Sequence, residues 1–361
     1  MSSDPLKVLI VDDSRIFRSA LEEALRGNPG VRVVGSVWNG DKAIEFVRAT
    51  PPDLVTLDIN MPGRGGLETL SDIRQLNTSR PELPPVGVIL VSALTDRGAA
   101  ITVEGLSRGA FDFIRKPDGP DEKANAATLQ RELNEKIALF AQRRLRTPAA
   151  IVPARQASPV PTPPTGRYQA VVIGASTGGP EALATVLPEL TRRASVPIFI
   201  VNHFPVGIMT RFFAESLARR CPYSVIEAAD GAITEPRTAY IAPSGRHMVV
   251  RRQGPRIVIG LNDLPPENGF RPSVDVLFRS VAEAYPRQAI GIVLTGMGND
   301  GAKGLGPLKR SGAYLIAQDE ASSVVWGMPK EAVATNLVDQ VLPLTQIGPA
   351  VATLLADGGT P

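Results

Sequence analysis

Short apolar runs alternate with amphipathic stretches along the first third of the chain. "KVLIV" is followed by a helical pattern from about Ser14 to Arg26, then come "DLVTLD", "VGVILVS" and "FDFIRKP", each trailed by helix or turn signals. Apolar runs of strand length fit strands covered on both faces, and such βα alternation predicts a parallel sheet with helices on either side. Residues just past the carboxyl ends of those strands converge on one edge, where a site is expected. Leu129, Leu133, Ile137 and Phe140 recur at helical spacing and predict a helix that closes this domain. Strand-and-turn alternation resumes at "VVIGASTGGP", with "VPIFIVN" and "AIGIVLTGMGNDG" as further strands. "HMVVRRQGPRIVIGL" predicts a hairpin turning at Gly254-Pro255, and "RPSVDVLFRSVA" a helix opened by Ser273 or Asp275. The expected fold class is α/β, in two doubly wound domains.

The division falls in "RTPAAIVPARQASPVPTPPTGR", Arg146 to Arg167, which is rich in proline and small residues, lacks a helical period and reads as a semi-extended linker. The expected domains are 1–125, a helix and proline-rich linker over 126–166, and 167–361. A chain of 361 residues with 43% apolar content is long enough for two cores. Its one cysteine, Cys221, excludes an intramolecular disulfide, and no Cys/His cluster has zinc spacing, which fits a reducing cytoplasm. The opening Met-Ser-Ser-Asp-Pro lacks the basic start and apolar stretch of a signal peptide, and no apolar run approaches bilayer length, so no membrane insertion is expected. The terminal "ADGGTP" is expected to fray.

The net charge of +3 is unevenly placed. No acid occurs between Glu135 and Glu181, whereas Lys136, Arg143, Arg144, Arg146, Arg155 and Arg167 do, which makes the basic excess largely a linker property. Few aromatics and no base-reading motif argue against nucleic-acid binding, while a basic surface favours an acidic protein partner.

Asp12, Asp13, Asp58, Ser92 and Lys116 all fall at predicted strand ends in the first domain. Carboxylates gathered there raise one another's pKa unless a hard cation such as Mg²⁺ or a lysine offsets the charge. With a metal screening the incoming charge, Asp58 can act as a nucleophile towards phosphoryl groups, Ser92 can bond the added phosphoryl, and Lys116 can pair with it. Taken singly, Asp13 reads equally as a helix N-cap and Asp58 as a turn residue. "VDDS", "TLDINMPG", "LVSA" and "FDFIRKP" together resemble the response-regulator receiver domain over roughly residues 5 to 125. The resemblance implies a flavodoxin-like fold, a chemotaxis histidine kinase as phosphodonor, and Mg²⁺ on Asp12, Asp13 and Asp58. It also implies phosphorylation of Asp58 and a switch felt by Ser92, Phe113 and Lys116. Many receivers carry Asp or Asn before the glycine where this chain has Gly65-Gly66, a departure that lies off the acidic cluster.

In the second domain, Gly174-Ala175-Ser176-Thr177-Gly178 fits G-x-S-x-G, whose glycines permit a sharp strand-to-helix turn that lifts a serine hydroxyl free of the sheet. Such a turn also suits a phosphate at a helix amino terminus, or simply redirects the chain. Ser176 replaces the second glycine of the dinucleotide fingerprint and would obstruct close pyrophosphate approach. A serine nucleophile needs a base, and the chain has two histidines. His203 follows "VPIFIVN" at the edge that carries Ser176, whereas His247 opens the hairpin, so His203 is favoured. An unperturbed imidazole, with a pKa of about 6.5, accepts a proton near neutral pH. Asp300, after another strand end, can orient the imidazole, although Asn299-Asp300-Gly301 also reads as an ordinary turn and N-cap. The order Ser, His, Asp differs from the Ser, Asp, His of α/β-hydrolases. Thr177 and Met297 are the nearest backbone amides for an oxyanion, and Arg271 and Ser273 are further candidates near substrate.

"VVIGASTGGPEAL", "NHFP", "IAPSGRHMVV", "RPSVDVLFRSVA", "LTGMGNDGAKGL" and "VVWGMPKEAV", in that order from about 168 onward, resemble the catalytic domain of the CheB family of chemotaxis protein-glutamate methylesterases and glutamine deamidases. The resemblance implies a Rossmann-like, mainly parallel sheet with a β-hairpin insertion, and catalysis by Ser176, His203 and Asp300 with Thr177 and Met297 at the oxyanion. It implies no cofactor for the esterase chemistry, and substrates on the cytoplasmic helices of methyl-accepting chemoreceptors. It further implies that the unphosphorylated receiver packs against the catalytic face and restricts substrate. Asn202 stands where glutamine often precedes the histidine in that family. A non-enzymatic signalling adaptor is the alternative, and intact Ser176, His203 and Asp300 argue against it.

Overall fold

The computed structural model describes residues 4–93, 95–145 and 168–356. The predicted linker, 146–167, and most of the carboxyl end expected to fray, 357–361, lie outside the described residues. The chain divides into two compact units, Met1–Thr147 and Pro148–Pro361.

The first unit runs β1 (Leu6–Val11), α1 (Arg15–Leu25), β2 (Val31–Val37), α2 (Gly40–Ala49), β3 (Leu54–Asp58), α3 (Gly66–Ser79), β4 (Gly87–Ser92), α4 (Asp96–Ser107), β5 (Asp112–Arg115) and α5 (Glu122–Leu145). Its five strands are all parallel in the order β2-β1-β3-β4-β5. The order reverses between β1 and β3, so the ends of those strands form the crevice where α/β sheets place their ligands. β3 is buried throughout, as a central strand covered on both faces must be. β2, absent from the sequence reading, is an edge strand of half-buried residues and breaks the apolar run with Gly35.

Leu129, Leu133, Ile137 and Phe140 form the buried stripe of α5, and the Phe140 ring meets Phe111 edge-on at 5.2 Å. This packing makes α5 the last helix of the first unit, and residue 125 lies near its start. The basic excess assigned to the linker is partly α5: Lys136 pairs with Asp112 at 2.9 Å and Arg144 with Asp53 at 2.7 Å.

The second unit runs β6 (Ala170–Ala175), α6 (Gly179–Thr191), β7 (Ile198–Asn202), α7 (Met209–Ala218), β8 (Ser224–Glu227), β9 (Thr238–Ile241), β10 (His247–Gln253) and β11 (Arg256–Asn262). It continues with α8 (Val274–Ala284), β12 (Ala289–Val293), α9 (Leu305–Arg310), β13 (Tyr314–Gln318), α10 (Met328–Ala334), β14 (Gln340–Leu342) and α11 (Leu344–Ala356). Seven parallel strands are ordered β14-β13-β12-β6-β7-β9-β8, and β10 and β11 form the separate antiparallel hairpin. The predicted α/β class with mainly parallel sheets holds for both units, and the predicted hairpin insertion lies in the second. The hairpin packs on α8, where Ser280 Oγ accepts from Val250 N at 3.0 Å and Arg252 donates to the Ala284 carbonyl at 2.8 Å. β6 is the switch point of this sheet, with β7 on one side and β12 on the other. Among the described residues no helix is long and apolar enough to cross a membrane.

Candidate active site

Ser176 follows the last residue of β6, in a turn closed by Gly178 at φ 79°. A side chain at 178 would be strained by that left-handed backbone, and its Cβ would lie 2.5 Å from Val324 Cβ, so glycine is required twice over. The turn is fixed from β12: Ser176 N donates to the Thr295 carbonyl at 3.0 Å, and Thr295 Oγ1 to the Thr177 carbonyl at 3.0 Å. Gly296 lies against the serine, because a Cβ there would come within 2.8 Å of Ser176 Cβ and 2.3 Å of Met328 Sδ. The Gly296 carbonyl in turn accepts from Gly327 N and Met328 N, at 3.0 and 2.8 Å, which anchors the residue before Met297.

Ala175 pairs with Asn202 in the parallel register, so Ser176 and His203 are the next residues beyond two neighbouring strands. His203 N donates to the Ala175 carbonyl at 3.1 Å. The imidazole is nearly buried, and its Nε2 meets Asp300 Oδ2 at 2.9 Å. A carboxylate only accepts, so Nε2 carries the proton and the lone pair rests on Nδ1, which is buried without a protein partner. Nδ1 is therefore the nitrogen able to take a serine proton. His247 is built differently: Ser273 N donates to its Nδ1 at 3.2 Å and its Nε2 bonds the Pro265 carbonyl at 3.1 Å. With both nitrogens occupied it is a structural residue.

Asp300 is fully buried. Its Oδ2 accepts from Val274 N at 2.7 Å besides His203, and its Oδ1 accepts from Ser273 Oγ at 2.8 Å and from Asp275 N, Gly301 N and Asn268 Nδ2 at 3.1 Å each. Burial alone would raise this carboxyl, but the bond and charge of His203 with those donors outweigh it and hold the group below the usual range. The N-cap reading of Asp300 is corrected in one respect: the carboxylate sits at the amino terminus of α8, not of the helix that follows it. Ser273 is the N-cap of α8, accepting from Val276 N. Asp275 instead accepts from Gly304 N at 2.6 Å and Asn268 Nδ2 at 2.8 Å. Arg271 braces a loop by donating to the carbonyls of Asp263 and Leu264, at 2.9 and 3.2 Å. Asn202 is buried, with Nδ2 on the His203 carbonyl at 3.4 Å and Oδ1 unpartnered. Thr295, Gly296, Asn268 and Phe270 were not legible in sequence, since each earns its place through contacts with distant segments.

In the first unit, Asp12 ends the approach of β1 and Asp58 the run of β3, and Lys116 Nζ bridges them at 2.7 and 2.9 Å. Burial and the charge of Asp58 push the Asp12 carboxyl up against the pull of Lys116. Burial opposes the Lys116 charge, but its bonds to both carboxylates prevail and raise it. Asp13 is exposed, and one oxygen from each of Asp12, Asp13 and Asp58 lies within 4.8 Å of the others. The N-cap of α1 is Ser14, which leaves Asp13 free of the capping role considered for it. Ser92 is buried, with Oγ 3.2 Å from the Ala93 carbonyl. Phe113 is buried, with Lys136 Nζ 5.8 Å from its ring centre. A Cβ at Gly66 would lie 2.6 Å from the Asp58 carbonyl, so that glycine keeps a close approach to β3, whereas at Gly65, the position of the departure, a Cβ would meet only the end of the Glu68 side chain at 2.8 Å.

The CheB methylesterase family model matches residues 171–351, and that of the response regulator receiver domain residues 8–128. A protein-glutamate methylesterase/protein-glutamine glutaminase of Bordetella parapertussis is 42% identical over 362 residues, covering 98% of this chain and 98% of that protein. One of the same name from Desulfotalea psychrophila is 40% identical over 358 residues, covering 95% and 96%. The crystal structure of the Thermotoga maritima CheB methylesterase catalytic domain aligns with a TM-score of 0.51 at 36% identity, over 52% of this chain and all (100%) of that one. The chain belongs to the CheB methylesterase family, with a response-regulator receiver domain ahead of the esterase domain.

Proposed function

We propose that this protein is a phosphorylation-activated protein-glutamate methylesterase and protein-glutamine glutaminase acting on the cytoplasmic helices of methyl-accepting chemoreceptors. The observation that carries the reading is the 2.9 Å bond between His203 Nε2 and Asp300, beside Ser176 at the switch point of the sheet. Ser176 Oγ attacks the ester carbonyl while His203 Nδ1 takes the hydroxyl proton. Asp300 keeps Nε2 protonated and offsets the charge of the imidazolium. The backbone amides of Thr177 and Met297 receive the developing oxyanion. The imidazolium then protonates the departing methoxide oxygen, and methanol leaves. Water, deprotonated by the same nitrogen, cleaves the acyl-enzyme to glutamate and restores Ser176. Attack on a glutamine side-chain amide follows the same course with ammonia as the leaving group.

Asp58 is the proposed phosphoacceptor, with a chemotaxis histidine kinase as donor. Three carboxylates whose oxygens lie within 4.8 Å, one of them destabilised by burial, suit a hard cation, so Asp12, Asp13 and Asp58 would hold Mg²⁺. When bound, that ion screens the charge between the carboxylates and an incoming phosphoryl group. Lys116 and Ser92 are proposed to take the phosphoryl oxygens and Phe113 to follow the switch. In domain terms, α5 completes the receiver, a connector follows, and the esterase begins near 167. The cytoplasm is the proposed location because the substrate helices are there.

A serine-directed fluorophosphonate tests the nucleophile. Modification of Ser176, found by peptide mass and slowed by His203→Gln, is expected. Modification at another serine, or an unchanged rate in His203→Gln, would contradict the assignment.

A further inference from the structure

The turn from Glu267 to Phe270 touches both members of the His203–Asp300 pair, yet no step above uses it. The Phe270 ring lies over the imidazole with centroids 3.9 Å apart and planes 3° from parallel. From two residues earlier, Asn268 Nδ2 donates to Asp300 Oδ1 at 3.1 Å and to Asp275 Oδ2 at 2.8 Å. One side chain thus covers the imidazole face while the other holds the carboxylate bonded to the imidazole edge.

The turn is built to stay in place. Glu267 and Phe270 exchange both backbone hydrogen bonds, at 3.1 and 2.9 Å, and Asn268 and Gly269 adopt φ of 53° and 82°, the left-handed pair that Asn-Gly favours in tight hairpin turns. Arg279 of α8 donates to both oxygens of Glu267, at 2.7 and 2.5 Å, and holds that carboxyl below its usual range. The anchor, the turn and the dyad therefore share one support, the first half of α8.

We propose that this turn is a clamp on the proton-transfer pair, in which Phe270 and Asn268 are positioning residues that fix the imidazole plane and the carboxylate for reaction at Ser176. The need is physical. The terminal torsion of a histidine is broad, and a single bond at Nε2 leaves the ring free to swing about it. A parallel aromatic face removes that freedom. Its quadrupole also favours a cation beneath it, so the ring stabilises the imidazolium formed during attack. The charged groups around the imidazole are Asp300 in contact and, one layer behind, Asp275, Glu267, Arg279 and Lys303, whose Nζ is 3.4 Å from Asn268 Oδ1. None of these is altered by replacing Phe270.

The inference rests on the roles proposed for His203 and Asp300, and the test separates the two. Methanol release from a methylated chemoreceptor cytoplasmic fragment would be followed against pH with the full-length protein, acetyl phosphate and Mg²⁺. Phe270→Leu should lower kcat by on the order of 10- to 100-fold with KM unchanged. It should also move the acid limb of kcat/KM down by about half a pH unit. Phe270→Tyr, which keeps the ring, should restore most of kcat. Asn268→Gly, which tolerates the left-handed backbone and removes the side chain with its bonds to Asp300 and Asp275, should also lower kcat at unchanged KM. If kcat and the acid limb are unchanged in Phe270→Leu, or the loss is carried by KM alone, while His203→Gln is inactive, the clamp is overturned and the catalytic reading stands. A fully active His203→Gln would overturn the catalytic reading itself.

Discussion

Asp300 shows how much one residue can be asked to do. Its carboxylate is bonded to the proposed base and also collects four donors from the start of α8 and from Gly301. In Asp300→Asn an amide N–H would face those donors and the imidazole would be held in the other tautomer, so kcat should fall by on the order of 10³ to 10⁴. The same substitution should destabilise the fold by about 1–3 kcal/mol, read from urea unfolding, because buried donors lose their acceptor. The pH dependence has a definite sign. Since the folded carboxyl lies below its unfolded value, its contribution to stability is complete above about pH 4 and is lost as the pH falls through the depressed folded value. Wild type should therefore lose stability more steeply than Asp300→Asn on acidification, and parallel acid-unfolding curves would count against this account. Taken alone, Asn299-Asp300-Gly301 reads as a turn and N-cap, and only three strand ends each offering one triad member favour Asp300 as the orienting acid. Local pattern could not show the surroundings of the carboxylate, because its donors include Asn268 and residues 273 to 275 from a distant segment.

At the level of elements, α8 is the organiser. Ser273 caps it and donates to Asp300 at 2.8 Å, so Ser273→Ala should cost about 1 kcal/mol of stability in urea unfolding and lower kcat as well. A stability loss with kcat intact would separate the cap from the site. The helix opening was legible from "RPSVDVLF" because an N-cap followed by apolar residues at helical spacing is a local signal. The strands carrying Asp12, Asp58, Ser176 and His203 were legible for a similar reason, since buried parallel strands are unbroken apolar runs. β2 was not, because an edge strand of half-buried residues interrupted by Gly35 carries no such run. The 267–270 turn reads locally as any Asn-Gly turn. What makes it matter is a ring stacked on His203 and an amide bonded to Asp300, both contacts made across the fold.

For the whole molecule, a receiver and an esterase on one chain imply that phosphorylation of the receiver, proposed at Asp58, changes the relative free energies of restricted and active arrangements. If the receiver inhibits, the fragment from about Gly166 onward should turn over faster than the unphosphorylated full chain, and equal rates would reject inhibition. Asp58→Asn should abolish any response to acetyl phosphate while leaving the basal rate in place. The central claim is an esterase switched by its receiver, and methanol release from a methylated chemoreceptor cytoplasmic fragment tests it most directly. The comparison is wild type against Ser176→Ala, each with and without acetyl phosphate and Mg²⁺. The account predicts release that requires Ser176 and rises on phosphorylation; undiminished release by Ser176→Ala, or none from wild type with Asp58 shown to be phosphorylated, would contradict it.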